Sequence, residues 1–295
     1  MKDLPLWRSM LYVPVIVPRF VAGAADRGAD AIILDFEDSV PPAEKARARE
    51  ALAEAVAQAG RRGADVLVRV NRPWRLLLRD LEAAVIPGVR ALALPKVDSA
   101  EHVFAVAEIV DELETERGLT RGAIGLVPMI ETAAAVFRTE AIAASHPRVV
   151  AITVGAEDLA LSLGMLPEAE GLLYPKQLSI IAARAAGILP LGFLGTVADY
   201  GDPAAFRAVI RRSRRLGFAG AACIHPTQVA ILNEEFRPAP DEIARARRLV
   251  AAAEAALAEG KGAVAFEGRM IDAPVVERAR QVLRLAAAVA AHDGG

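Results

Sequence analysis

Apolar runs of strand length recur along the chain, separated by stretches with helical spacing. Eight runs read as strands: SMLYVP (9–14), DAIILDFED (30–38), DVLVRVN (65–71), ALALPKV (91–97), GLVPMIE (125–131), VVAITVGAED (149–158), ILPLGFLG (188–195) and AACIHP (221–226). Helical patterns fill 43–58, 100–117, 132–144, 175–186 and 203–216, with Gly187 and Gly217 placed to end two of them. Continuous apolar strands alternating with amphipathic helices predict a parallel sheet covered on its outer face. Eight repeats favour an α/β fold of the closed (β/α)₈ TIM-barrel type over an open doubly wound sheet. No G-x-G-x-x-G follows the first strand, which removes the main support for a dinucleotide fold. The predicted barrel occupies 1–236. Residues 237–295 form a C-terminal helical extension, with helices over 240–260 and 275–291 joined through FEGRMIDAP. This extension is more than a barrel needs, so it either caps the barrel bottom or packs on a neighbouring subunit.

Polar residues gather at the C-terminal ends of the runs: Asp35, Glu37 and Asp38, then Arg69 and Asn71, Lys96, Glu131, Glu157 and Asp158, and His225. In such barrels that face carries the chemistry. Glu131 and Asp158 end neighbouring runs, so two carboxylates lie side by side where they can share a hard divalent cation. Each alone can instead cap the helix that follows it. Together, beside the Asp35–Asp38 acids, they favour a metal, because so many carboxylates on one rim repel unless a cation neutralises them. Two protein ligands suit Mg²⁺, with Mn²⁺ as the alternative, since the remaining positions go to water and substrate oxygens. Zinc is disfavoured: the chain has four His, and none has ligand spacing with a second His or Cys. Arg69 suits a substrate carboxylate or a developing enolate oxygen, or a salt bridge to the local acids, and both roles are compatible. Lys96 raises the alternative of a Schiff-base aldolase. His225, before Pro226, is read as an anchor for the last loop rather than a base.

Composition narrows the picture little further. With 54% hydrophobic and 24% charged residues the chain is globular, and a net charge of -2 gives no sign of nucleic-acid or membrane binding. The start MKDLPLW lacks a basic segment followed by an apolar one, and Pro14 and Pro18 interrupt the next apolar stretch, so a cytoplasmic setting is expected. The lone Cys223 reads as a packed thiol, and the arginines of 211–215 as a solvated helix face.

The ordered series LYVP, ILDFEDSVPPAEKARAR, VRVN, LPKVDSAE, PMIET, VGAEDLA, LGFAGAACIHPTQVAILNEEF and GRMIDAP resembles the family of citrate lyase beta subunits, malyl-CoA lyases and citramalyl-CoA lyases. The resemblance implies that Glu131 and Asp158 bind Mg²⁺, with Glu131 and Arg69 on the substrate. It implies that Tyr12 and Arg19 contact the CoA moiety. It further implies that Asp272 is the proton-transfer group, delivered to the site of a neighbouring subunit in a trimer or hexamer. The implied reaction makes or breaks a 3-hydroxyacyl-CoA such as malyl-CoA or citramalyl-CoA, giving an acyl-CoA and a 2-oxo acid. The chain departs from the family pattern at Val15, at Gly23 and after the seventh strand, where the isoleucine-aspartate pair is missing. Those departures keep open a class II aldolase acting on free 2-oxo acids. A non-catalytic subunit within a larger complex, and thioester hydrolysis at the same site, also stay open.

Overall fold

The computed structural model describes residues 4–196, 201–258 and 264–294. Eight parallel strands form a nearly closed barrel: β1 (Ser9–Pro14), β2 (Ala31–Asp35), β3 (Asp65–Arg69), β4 (Val89–Leu94), β5 (Gly125–Ile130), β6 (Ala151–Val154), β7 (Leu189–Leu191) and β8 (Ala221–Cys223). Their hydrogen-bonded order is β7-β6-β5-β4-β3-β2-β1-β8. The two ends of that order meet through a single parallel bridge, Leu191 with Gly220, beside a 2.8 Å bond from the Gly192 N–H to the Gly220 carbonyl. Glycine is required at 220. A Cβ there would lie 1.7 Å from the Trp7 carbonyl oxygen, which is backbone and cannot yield.

The two faces of each strand alternate as a period of two demands. Met10, Ile33, Leu67, Val127 and Leu191 point into the barrel, where Trp7 joins them. Leu11, Ile32, Leu34, Val68 and Leu92 point outward under the helices. The same alternation sends Tyr12, Asp35 and Arg69 inward at the C-terminal ends of β1, β2 and β3.

Several predicted runs are longer than the strands, for identifiable reasons. The 30–38 run stops at Asp35 because that carboxylate accepts the backbone N–H groups of Glu37 (2.9 Å) and Ser39 (3.1 Å), turning the chain. The 149–158 run divides at Gly155, which caps the helix Ala156–Leu163. Asp158 is therefore not on a strand end, as the run implied, but in the first turn of that helix. The 43–58 pattern divides into Lys45–Glu50 and Leu52–Gly60, and 132–144 into Ala133–Val136 and Thr139–Ala143. Helices Pro18–Ala24, Trp74–Ala84 and Pro226–Glu235 go beyond the predicted set. Pro18, Pro73 and Pro226 sit at or just before the first helical turn, where the missing N–H costs nothing. Gly187 and Gly217 end their helices in the left-handed region, as read. Cys223 is buried under the helices, and burial pushes its thiol up to about 12. Arg211, Arg212 and Arg215 are exposed.

His102, in the first turn of the helix Ala100–Glu116, packs on Trp74 with ring centroids 5.1 Å apart. Neither ring nitrogen has a hydrogen-bond partner, and burial, helped by the charge of Arg72, lowers its pKa from 6.5 to about 4. The unfolded chain therefore takes up this proton first. Stability present above pH 6.5 is lost as pH falls toward 4. His102→Phe is expected to flatten that window, read as a smaller drop in the urea midpoint between pH 7 and 4.5 than in the parent chain. An equal drop in both proteins would exclude His102 as a source.

The chain divides into two compact units, Met1–Phe236 and Arg237–Gly295. In the second, the helices Pro240–Ala258 and Ala273–Asp293 share an apolar cluster of Ala246, Leu249, Ile271 and Ala279. Between them, Val264–Phe266 and Arg269–Ile271 pair as an antiparallel hairpin, where the sequence reads only as a link. Among the described residues no helix is long and apolar enough to cross a membrane.

Candidate active site

A cavity of about 760 Å³ opens at the C-terminal end of the barrel. Tyr12, Arg19, Arg69, Glu131 and Asp158 all line it, so five of the six residues singled out in the sequence converge on one space. The sixth, Asp272, belongs to the second unit. There it is exposed and caps the helix Ala273–Asp293, accepting the Val275 N–H at 3.4 Å.

Arg69 is held by acids rather than left free. Its Nε donates to Asp35 Oδ1 at 2.7 Å and its Nη2 to Asp35 Oδ2 at 2.9 Å, a bidentate clamp, while Nη1 reaches Asp38 Oδ2 at 3.2 Å. The guanidinium lies 4.9 Å over the ring of Tyr12. Burial opposes charge on both partners, yet these bonds hold Arg69 above its ordinary range and Asp35 below the usual carboxylate range. Tyr12 is itself raised, first by burial. The salt-bridge role expected for Arg69 is thus present, and it fixes the guanidinium in place at the cavity wall.

Glu131 follows β5 and is 3% exposed. Thr132, not Glu131, caps the next helix, so the capping alternative for Glu131 falls. Its Oε2 accepts the backbone N–H of Lys96 at 2.7 Å, and Lys96 holds that N–H in place with a positive φ of 49°. Burial, then the charges of Glu37 and Asp158, push Glu131 up to about 7 against the pull of Lys96. The Lys96 ammonium reaches Glu37 Oε1 at 3.0 Å and Asp158 Oδ1 at 3.2 Å. Despite desolvation it is held above the ordinary lysine range by these acids. A Schiff base needs a neutral amine, so this pairing argues against that role for Lys96. Asp158 caps nothing: its helix has Gly155 as N-cap, with no side-chain cap bond.

The charge balance describes what fits here. Among Asp35, Glu37, Asp38, Glu131 and Asp158, the side-chain ion pairs run to Arg69 and Lys96, and burial raises Glu37 as well. Its Oε2 is buried without a hydrogen bond, although Arg69 Nη1 stands 3.0 Å away. A cation is called for, and Lys96 already places an ammonium between two of the acids. The described residues hold no group of three or more His, Cys, Asp or Glu poised as a complete metal cage. A two-carboxylate site suits a hard cation that keeps water and substrate oxygens in its other positions.

Three features escaped the sequence reading. Gly155 is one: a Cβ there would lie 2.2 Å from Glu131 Oε1 and 2.6 Å from its Cγ, so the glycine makes room for the carboxylate. Lys176 is another. It is 3% exposed, lines the cavity, donates to the Gly195 carbonyl and is lowered to about 8 by burial. Third, the Lys45 ammonium donates to the carbonyl of Glu37 at 2.7 Å, pinning the loop of acids. No sequence signal marks these, since each depends on what the fold brings near. Asn71 turns away from the mouth to Asp80 (2.6 Å), and His225 caps the helix Pro226–Glu235, as its reading as an anchor expected.

The chain is similar to known proteins along almost its whole length. The citrate lyase subunit beta of Escherichia coli (strain K12) is 36% identical over 281 residues, covering 94% of this chain and 92% of that protein. The L-malyl-CoA/beta-methylmalyl-CoA lyase of Cereibacter sphaeroides (strain ATCC 17025 / ATH 2.4.3) is 35% identical over 307 residues, covering 96% of each. The crystal structure of protein CitE from Mycobacterium tuberculosis, in complex with magnesium, acetoacetate and coenzyme A, is similar with a TM-score of 0.76 at 30% identity, covering 97% of this chain and 100% of that one. With residues 8–226 matching its pattern, the chain belongs to the HpcH/HpaI aldolase/citrate lyase family.

Proposed function

We propose that the chain is a Mg²⁺-dependent carbon–carbon lyase, cleaving or forming a 3-hydroxyacyl-CoA with an acyl-CoA and a 2-oxo acid as the other side of the equilibrium. The observation that carries it is that Glu131 and Asp158, from neighbouring strand–helix units, line one cavity with Arg69, near enough for the charge of Asp158 to help raise Glu131. The names of the relatives support the same class. Glu131 and Asp158 would hold the cation, whose chemistry when bound is to polarise the oxo or hydroxyl oxygen of the substrate.

The chain's own groups account for the rest. Arg69, fixed by Asp35 and Tyr12, presents its fork to the substrate carboxylate or to the oxygen on which enolate charge develops. In cleavage the substrate hydroxyl loses its proton, the C2–C3 bond breaks, and its electrons pass to the acyl-CoA as an enolate that gains a proton at the α-carbon. In condensation these steps reverse. Tyr12 and Arg19 stand at the wall and rim where a thioester and its phosphates would enter. Asp272 is proposed as the group that moves the α-proton, supplied by a neighbouring chain in a trimer or hexamer. Its exposure, next to a Met270 that is 80% exposed, fits a turn made to be covered. A cytoplasmic setting fits this chemistry.

Turnover of malyl-CoA and citramalyl-CoA by the purified chain, lost with chelator and restored by Mg²⁺, is the expected result. Undiminished activity in metal-depleted protein would overturn the reading. Asp272→Asn is expected to stop exchange of the acyl α-proton with solvent deuterium, seen by proton NMR, with acyl-CoA affinity kept within about threefold. Parental exchange in that variant would remove Asp272 from the site.

A further inference from the structure

The charged residues of the cavity do not all gather at the cation position. Lys176, on the helix Ala169–Ala186, lines the same cavity from the side of β7, and in the strand order β7 stands four places from β3, across the barrel from Arg69. Lys176 is 3% exposed. Its ammonium donates to the Gly195 carbonyl and stands 5.7 Å from the centre of the Phe193 ring. Phe193, Gly195 and Thr196 line the cavity with it.

An ammonium carries three donors, and burying one without acceptors or a counter-charge is costly. Here the Gly195 carbonyl takes one donor, and no further hydrogen bond or ion pair of the ammonium occurs among the described residues. The segment 189–196 contains no acid. The one charge that acts on Lys176 is that of Glu157, which is exposed and accepts the Thr196 hydroxyl. Burial prevails and lowers the amine to about 8, whereas acids hold Lys96 above its ordinary range. The fold supplies one lysine of the cavity with carboxylates and leaves the other without.

Glu131, Asp158 and Arg69 do not act on Lys176, so the cavity has two separate charged poles. A 2-oxo acid as small as glyoxylate or pyruvate, held at Glu131, Asp158 and Arg69, does not reach from one to the other. The acyl partner, joined to it by the new bond and running on from there, does. We infer that Lys176 is an anion-binding position for the far end of the acyl partner, which is an acyl-CoA bearing a second, terminal carboxylate. This rests on the lyase reading above and adds the class of its acyl substrate.

The test compares succinyl-CoA and glutaryl-CoA with butyryl-CoA and valeryl-CoA, chains of like length without the terminal charge. Binding to the full chain with Mg²⁺ and no oxo acid is read by calorimetry. The better carboxylated thioester is expected to bind about ten- to a hundredfold tighter than its neutral counterpart, the scale of a charge-assisted hydrogen bond. Lys176→Gln keeps a donor for the Gly195 carbonyl but removes the charge, so it should erase that ratio while affinity for butyryl-CoA and Mg²⁺ stays parental. Lys176→Met gives the same readout should the glutamine variant fail to fold. In the parent chain the ratio should fall roughly tenfold from pH 7 to pH 9, as the free amine loses the proton that binding requires. Equal affinity for charged and neutral chains overturns the inference. So does a ratio that survives in both variants or stays constant over that pH range. Mg²⁺-dependent condensation of any of the four thioesters with glyoxylate sustains the lyase reading whatever Lys176 binds. Charge-selective binding without condensation sustains the Lys176 site while the lyase reading falls.

Discussion

Asp158→Ala is expected to abolish saturable Mg²⁺ binding and to lower turnover by at least about a thousandfold. That is the scale of the several kcal/mol a Lewis-acid cation contributes to a transition state. The fold should survive. Asp158 has a side chain 32% exposed in the first turn of its helix, and losing an acid there costs about 0.3–1 kcal/mol. The substitution also frees the Lys96 ammonium from one of its two acids, so the remaining charge balance turns less negative and repels a divalent ion. Glu131→Gln makes a paired comparison. It keeps an oxygen for the Lys96 N–H but removes a buried acid whose pKa is pushed to about 7, so the metal-free protein should be as stable as the parent or more so while Mg²⁺ binding fails. Calorimetric titration with Mg²⁺ decides both. Parental affinity in the Asp158 variant would mean that the cation is held elsewhere.

The barrel was legible because its signal is redundant: eight apolar runs, glycine-ended helices and polar residues at one end of each run all demand the same fold. Runs were overextended where a side chain or a glycine ended the strand, as at Asp35 and Gly155. A residue type does not announce that its carboxylate will cap its own backbone. The candidate site was legible as far as charged residues gather where strands end and helices begin, which is why Arg69, Glu131 and Asp158, singled out by type and position, line one cavity. Lys96 reads from sequence as a Schiff-base alternative, and the structure gives it a different part. Its importance lies in a positive φ that aims a backbone N–H at Glu131 and in an ammonium resting between Glu37 and Asp158, and neither is a property of the letter K. Asp272 shows the opposite limit. Its sequence context marks it, but its contacts within this chain make it a helix cap, and its proposed chemistry needs a second chain.

Gly155→Ala should nearly silence the enzyme without removing any functional group. The added Cβ would fall 2.2 Å from Glu131 Oε1, 2.6 Å from Cγ and 2.8 Å from Cδ, so the whole end of the side chain must move. What blocks it is a side chain and not backbone, unlike at Gly220, so the fold can yield. The backbone at Gly155 has φ of -78°, which alanine adopts freely. The stability cost should therefore stay within the roughly 1–3 kcal/mol typical of overpacking. Function has no such latitude. Glu131 is buried, and the position it leaves is the one where the backbone N–H of Lys96 meets it, in the cavity that Asp158 also lines. A displaced carboxylate cannot share a cation with Asp158, and an error of about 1 Å in such a site costs on the order of a hundredfold in rate. The expected result is a melting temperature lowered by a few degrees, Mg²⁺ affinity weaker by about ten- to a hundredfold, and turnover falling with it. Gly155→Ser should do the same. Metal affinity equal to the parent's, with turnover intact, would show that Glu131 has room to move and still bind, and the tight fit between Gly155 and Glu131 would then have no part in holding the cation.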